Sequence, residues 1–548
     1  MAAIALLSLL IGVWARVQHL ERKVFWPDEV FTALRVSGHS LAGFRRLFDD
    51  ELHTLAAVEA FQVREPGNTV AGLVTTLAAE EPQHPPLFYV LDRFAIDLFG
   101  SSVAAYRSVS VLAGLLSIVC AFALGRVAFG SPAGGFVLAS LVAVSPFHVH
   151  LSRQAREYEL FSTFALGSSA LLLWALAGPH RLRWSAYALC AALGLYTDPL
   201  FAGVIAAHGI TVVATRRTRA ALGSFLAACA AALLAFAPWA AVLLAERASA
   251  HAQLDWLAGT YPLKFFAQKW LFNFGTVAFD AELRDLRLTV VVAAFALLVA
   301  FAAVRAVRVA VAVPAEPAAV LGLSLSAIPL LVFGAYDIVE KAHYTTVARY
   351  FAGTAVGVEI LVASWLVRRI GAGGRGRALG LTLFALVALA GIGSDLASAG
   401  AVNWWDNNNQ INYKSVAAIL NAAPAPIVAA GDAAAALVLT HYLRADAQFL
   451  LVADPARSAA RLAGSRGAKF LIAPSDALKT AVGDLGATLV DVSPASGSPM
   501  AAFRAGLERE RPDARAAVGP GSAENAVWAV RSAPHASPSE ASGTGGSK

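Results

Sequence analysis

Long apolar stretches, separated by short polar connections, set the pattern of the chain. Blocks of about 18–25 residues recur up to about residue 398, and a helix of that length crosses a bilayer core. They predict membrane helices at roughly 1–19, 103–126, 133–147, 158–177, 184–196, 199–214, 221–243, 288–304, 317–336, 349–367 and 378–398. Every second connection is basic: Arg126; His180, Arg181 and Arg183; Arg216, Arg217 and Arg219; Arg305 and Arg308; Arg368, Arg369, Arg375 and Arg377. Basic short loops stay in the cytoplasm. The alternate set (20–102, 148–157, 197–198, 244–287, 337–348 and everything after about 400) is therefore expected on the outer face.

The pattern changes in two places. The long first loop carries amphipathic pieces, VFTALRVSG, LAGFRRLF and TVAGLVTTLAA, and then HPPLFYVLDRFAIDLFG, where Asp92 and Asp97 interrupt the apolar residues. That last stretch fits a helix lying in the membrane interface. From about 425 to 492 short β-like runs (IVAAG, FLLVAD, KFLIAP, ATLVDV) alternate with Ala-rich helical stretches, which predicts a small α/β domain. The expected organisation is a polytopic α-helical membrane domain of about eleven helices over 1–400, an extracytoplasmic α/β domain over 401–505 and a disordered tail over 506–548.

Composition agrees. Of 548 residues, 57% are hydrophobic and 15% charged, far from the soluble average. The net charge of +6 sits largely in the basic connections, so it reads as topology and excludes nucleic acid as the partner. Cys120, Cys190 and Cys229 all fall in apolar segments, which argues against a disulfide framework and against cysteine metal ligation. The start, MAAIALLSLLIGVWARVQHL, lacks a basic n-region and a small-residue cleavage site, so it is read as the first membrane helix.

The candidate chemistry lies in the loops assigned to the outer face. FWPDEVF places Asp28 and Glu29 directly after the first span. Adjacent residues on a helix point about 100° apart, so they do not form a convergent glycosidase pair. Asp28 as the N-cap of EVFTALRVS, with Glu29 on the first-turn dipole, is the competing structural account of the two, and the basic residues assigned to the same face make it insufficient as the whole account. Loops on this face should be poor in Arg and Lys, yet AAYRSVS has Arg107, LSRQAREYEL has Arg153 and Arg156 at helical i, i+3 spacing with Tyr158 nearby, and EKAHYTTVARYF has Lys341, His343, Arg349 and Tyr350. An arginine inside a membrane helix costs roughly 2.5–3.5 kcal/mol on insertion scales unless paired. Pairing with Glu157 or Glu159, or snorkelling, explains any one site. Three basic sites on one face are explained better by an anionic ligand, and a lipid phosphate is the natural one. His84, before Pro85 and Pro86, is held at the same surface. With Glu80, Glu81, Asp28 and His343 it suggests a metal site, although tight ligand spacing such as HExxH is missing.

PDE in the first loop, HPPLFYVLDRFAIDLFG with the Arg107 segment, SRQAREYEL, LGLYTDP with Asp198, and ARYFAG together resemble a bacterial membrane glycosyltransferase of the GT-C superfamily. The nearest groups are the protein O-mannosyltransferase-like and lipid A aminoarabinose transferase families. The resemblance covers roughly the first 370 residues and rests on the order of these motifs, each weak alone. It implies a polyprenyl-phosphate-linked sugar donor, transfer with inversion outside the bacterial inner membrane, and Asp28 as the general base or acceptor-positioning group supported by Glu29. Arg107 lies where a phosphate-contacting arginine is expected, Arg349 and Tyr350 line the donor side, and Arg153, Arg156 and Tyr158 border the same cavity. His84 and Pro85 stand where the aminoarabinose group carries an acidic residue and a lysine, which favours the mannosyltransferase-like group. No cofactor is required and a divalent metal is optional, with His84 and His343 as candidate ligands. A phosphate leaving group needs no general acid, only a carboxylate for the acceptor's proton and cations for the phosphate.

Three other readings compete. A metal-dependent oligosaccharyltransferase would need a ligand set. A lipid transporter or flippase would show internal repeats and midplane charges. A silent scaffold would use its α/β domain to bind a partner. The acceptor (protein, glycan or lipid) and the sugar are not encoded in any motif.

Overall fold

The computed structural model describes residues 1–178, 180–215, 218–252, 255–280, 286–312, 316–402, 404, 412–493 and 527–531. They form two units, one within Met1–Leu41 and Phe61–Asn409, the other within Ala42–Ala60 and Gln410–Ser496 together with Val527–Arg531.

In chain order the helices to residue 399 are α1 (Ala2–Val17), α2 (Pro27–Val36), α3 (Leu41–Phe44), α4 (Leu55–Glu59), α5 (Val70–Glu80), α6 (Leu87–Phe99), α7 (Val103–Phe129), α8 (Pro132–Ala143), α9 (Pro146–Leu151), α10 (Tyr158–Leu176), α11 (Arg181–Thr197), α12 (Phe201–Thr215), α13 (Arg219–Ala245), α14 (Arg247–Ala252), α15 (Leu263–Thr276), α16 (Leu286–Ala312), α17 (Pro317–Val339), α18 (Ala352–Gly371) and α19 (Gly374–Ala399). A helix stands at every expected span. Among the described residues six segments, Val103–Phe129, Tyr158–Leu176, Arg219–Ala245, Pro317–Val339, Ala348–Gly371 and Gly374–Ala399, are long and apolar enough to cross a membrane. The expected 133–147 span ends early, at Ala143. Pro146 disfavours helical backbone at Ser145, and the chain restarts as α9 with Pro146 in its first turn.

Two features of the helical unit position the site. α18 is buried on all sides from Ala352 to Leu366, as expected of a central helix that is largely apolar all round. It meets α17 through Gly357 and Gly322: a Cβ on Gly357 would stand 2.5 Å from the Ser326 nitrogen and 2.7 Å from the Gly322 oxygen. Such small-residue contacts let helix backbones approach closely. Arg16 of α1 is fully buried and closes the end of α8, donating to the carbonyls of Ala143 at 2.6 Å and Val142 at 3.0 Å.

The second unit is a six-stranded sheet in the order β1-β3-β2-β4-β6-β5, from β1 (Leu52–Thr54), β2 (Ile427–Ala430), β3 (Gln448–Leu451), β4 (Lys469–Ile472), β5 (Thr488–Asp491) and β6 (Val527–Arg531). β2, β3 and β4 are parallel, and the others join antiparallel. Helices α20 (Tyr413–Asn421), α21 (Ala433–Thr440), α22 (Pro455–Gly464) and α23 (Asp476–Asp484) are capped by the side chains of Asn412, Asp432, Asp454 and Ser475. The four β-like runs form β2 to β5. Two strands lie where none was expected. β6 falls inside the supposed tail, because the alternating Val-Trp-Ala-Val stretch pairs with β4 on one side and β5 on the other. The rest of 506–548 lies outside the described residues. β1 comes from the first loop and is secured by Asp50, whose carboxylate accepts from Ala453 N at 2.8 Å, Asp454 N at 2.9 Å and Ser458 Oγ at 2.6 Å.

Candidate active site

The FWPDE segment folds differently from the simple capping account. Trp26 is the N-cap, Pro27 opens α2, and Asp28 lies inside the first turn. Glu29 takes the capping role and accepts the Trp26 N–H at 3.3 Å. Asp28 is thus no N-cap, and its carboxylate is left to face outward from the helix.

The two adjacent acids have opposite surroundings. Glu29 is fully buried. It receives Arg107 Nε at 2.7 Å, Arg107 Nη2 at 2.6 Å and the Ala155 N–H at 2.8 Å. Arg107 also donates to the carbonyls of Leu20, Lys23 and Val24. All three of its nitrogens are thereby engaged. This corrects the expectation that Arg107 contacts a phosphate: it pins the strand-like entry to α2 and, through Glu29, the loop before α10. Arg153 has a similar role. Its guanidinium donates to the carbonyls of Ala15, Gln18 and His19 at the end of α1. The expected one-face helix for Arg153 and Arg156 is absent, because residues 152–157 form turns and bends between α9 and α10. Contacts from other segments, such as Ala155 N to Glu29 and Ser110 Oγ to the Arg156 carbonyl at 3.0 Å, replace the missing helical bonds.

Asp28 meets Arg349. Its Oδ2 lies 3.8 Å from Arg349 Nη2, and both side chains are about a fifth to a quarter exposed, at 24% and 21%. Four aromatic rings surround the guanidinium: Trp256 at 5.1 Å, Tyr350 at 5.4 Å, and Trp26 and Tyr158 at 5.9 Å. Cation–π contacts contribute about 0.5–2 kcal/mol each and leave the N–H edge available. Nε of Arg349 is buried without a hydrogen-bond partner. A guanidinium with donors to offer, in an aromatic setting and beside an accessible carboxylate, has the chemistry to hold an anionic oxygen.

Arg156 forms the adjoining wall. It donates to Thr32 Oγ1 at 3.3 Å, Tyr89 Oη at 3.2 Å, His84 Nε2 at 3.1 Å and Glu157 Oε1 at 3.2 Å, and it faces the Tyr158 ring at 5.5 Å. Because a guanidinium only donates, His84 Nε2 accepts and its Nδ1–H reaches Glu157 Oε1 at 3.0 Å. Burial opposes the charge of Glu157, but Arg156 and the bond from His84 outweigh it and hold the carboxyl down at about 2. Asp198, half-buried in the turn before α12, accepts the Leu200 N–H at 2.8 Å. Burial, against that bond and with Glu157 adding, pushes its carboxyl up to about 7.

His343 packs edge-on against Tyr261 at 4.8 Å and Trp256 at 6.1 Å, so it reaches the Arg349 group through an aromatic ring. Lys341 is exposed, in left-handed backbone. Glu80 and Glu81 both pair with Arg35 of α2. Among the described residues no three His, Cys, Asp or Glu side chains converge as a bound metal would require. Trp26 and Trp256 were missed by sequence reasoning. Trp26 had a signal in its place beside PDE, whereas nothing in LDWLAG singles out Trp256.

Residues 83–242 match the family model described as Dolichyl-phosphate-mannose-protein mannosyltransferase. Among solved structures, the chain is similar to ArnT from Cupriavidus metallidurans bound to undecaprenyl phosphate, with a TM-score of 0.51 at 13% identity over 96% of this chain and 97% of that one. It is also similar to the Archaeoglobus fulgidus oligosaccharyltransferase tethered with an acceptor peptide, with a TM-score of 0.42 at 12% identity over 82% of this chain and 64% of that one. Comparison with curated proteins gives no match. The ArnT likeness, over nearly the whole of both chains, is a likeness of fold.

Proposed function

We propose, from the premise that this chain is a mannosyltransferase-like integral membrane member of the GT-C superfamily of glycosyltransferases, that it transfers a sugar with inversion from a polyprenyl-phosphate-linked donor to an acceptor at the extracytoplasmic face of the bacterial inner membrane. The observation that carries the reading is the partly exposed Asp28–Arg349 pair beside a wall of Arg156, His84 and Tyr158. The undecaprenyl phosphate bound to the ArnT structure supports a lipid-phosphate donor. The alternating basic loops support the orientation.

In this reading the donor phosphate lies against Arg349, with Arg156, Tyr350 and His343 around it. Asp28 takes the proton of the acceptor's hydroxyl or amine as that atom attacks the anomeric carbon from the face opposite the phosphate. The bond from the anomeric carbon to the phosphate oxygen breaks, and the electron pair leaves with the polyprenyl phosphate. Arg349 and Arg156 stabilise the charge that grows there. Glu29 acts one step removed, by fixing the turn that presents Asp28. No step calls for a metal, so turnover should persist in chelator. Its loss there would favour the metal-dependent oligosaccharyltransferase reading.

The test is turnover of purified protein in lipid with a panel of labelled polyprenyl-phosphate sugars. Asp28→Asn should lower kcat by about 10²–10⁴-fold, the range of a positioned base. Unchanged turnover in that variant would remove Asp28 from the chemistry.

A further inference from the structure

A buried cluster joins the two elements that carry the site. His148 of α9 bonds through Nδ1 to Glu159 Oε2 at 2.9 Å and through Nε2 to Glu359 Oε2 at 3.1 Å. All three residues are at most 1% exposed. Ionised carboxylates only accept, so both ring nitrogens carry hydrogen and His148 is an imidazolium, or one acid holds the proton instead. The guanidinium of Arg16 interacts with both carboxylates electrostatically. Two acids thus face one imidazolium and one guanidinium in the buried group, and the Arg16 guanidinium interacts with the buried Asp395 as well.

The placement of the three residues gives the cluster its meaning. Glu159 directly follows Tyr158, the ring that faces both Arg156 and Arg349. Glu359 lies two turns into α18, the helix that continues from the Ala348–Phe351 turn bearing Arg349. His148 sits just before the loop that carries Arg156. Apolar side chains would hold these helices together with less desolvation. What a doubly bonded imidazole adds is direction: it sets the rotation of α10 and of α18 about their axes, and with it the separation of the two guanidinium groups.

We propose that His148 is a positioning residue, which through Glu159 and Glu359 sets the spacing between Arg156 with Tyr158 on one side and Arg349 on the other. The proposal rests on the donor-phosphate reading above. It predicts that breaking the link to α18 weakens the donor and spares the acceptor.

Glu359→Met is the clean break. It removes one acid, lets a neutral His148 keep its bond to Glu159, and leaves Arg16 facing Glu159 and Asp395. Glu359→Gln is the matched control, because its amide can donate to His148 and preserve the link with the direction of the bond reversed. Donor KM in Glu359→Met should rise about 10-fold, since a misplacement of about 1 Å can change rates by up to 10²-fold. Acceptor KM should stay unchanged. Glu359→Gln should remain within about 3-fold of the parent in donor KM. An unchanged donor KM in Glu359→Met would overturn the proposal, as would an equal rise in both variants. Transfer by the parent protein separately decides the reading on which this rests. If the parent transfers no sugar, the same comparison is made with undecaprenyl phosphate binding to purified protein. Weaker binding in Glu359→Met alone then supports the proposal, and equal or absent binding overturns it.

Discussion

Arg107 and Arg349 are the same residue type set against adjacent acids, and they do different work. Arg107 is saturated by Glu29 and three carbonyls, whereas Arg349 keeps an unpartnered nitrogen beside an accessible Asp28. Glu29→Gln should therefore act on stability. It leaves the buried Arg107 charge without its partner, a change that costs about 3–5 kcal/mol, and thermal unfolding in detergent should show it. Asp28→Asn should leave the melt nearly unchanged, and that contrast separates the two acids. Asp198 gives a pH signature. Its folded pKa of about 7 lies above the ordinary carboxylate value, so the folded state holds the proton more tightly than the unfolded one. Its contribution to stability is full below the unfolded value and is lost as pH rises through about 7. Asp198→Asn should thus melt with the parent at pH 4 and above it at pH 8. The acid pair could be read from PDE, and the basic residues from AAYRSVS, LSRQAREYEL and EKAHYTTVARYF. Which arginine is saturated could not, because Arg107 meets Glu29 across 78 residues of chain.

At the scale of the element, apolar length located the helices, and the local rules failed where other segments supply the bonds. Residues 152–157 have helical spacing, but Glu29 and Ser110 bond their backbone and they form a loop. Glu359 in the AVGVEIL run was a charge within a membrane span, which by itself argues for a buried partner, but the partner's identity needed the fold. The α17–α18 contact is equally non-local. Gly357→Leu would push a side chain into the backbone at Ser326 and Gly322. Overpacking of this kind destabilises by about 1–3 kcal/mol or more. Size-exclusion profiles should show less folded protein than the parent gives.

For the whole molecule, the readable part was the division into a helical membrane region and an α/β region, each announced by its own periodicity. The unreadable part was that the sheet is not continuous in sequence. β1 belongs to the first loop, and three residues of alternating character in a long amphipathic loop give no sign of it. Asp50→Ala should leave the backbone N–H groups of Ala453 and Asp454 and the Ser458 hydroxyl without their acceptor, at a cost of about 1–3 kcal/mol. Limited proteolysis should then cut faster within 410–493 and leave the helical region at the parent rate. The Asp50–Asp454 contact also sets an order on biosynthesis. Its partners are 404 residues apart. At about 5–20 residues per second the ribosome takes roughly 20–80 s to cover that distance. Through that interval the first-loop strand waits without its neighbour, so this sheet closes only after every helix between has been made.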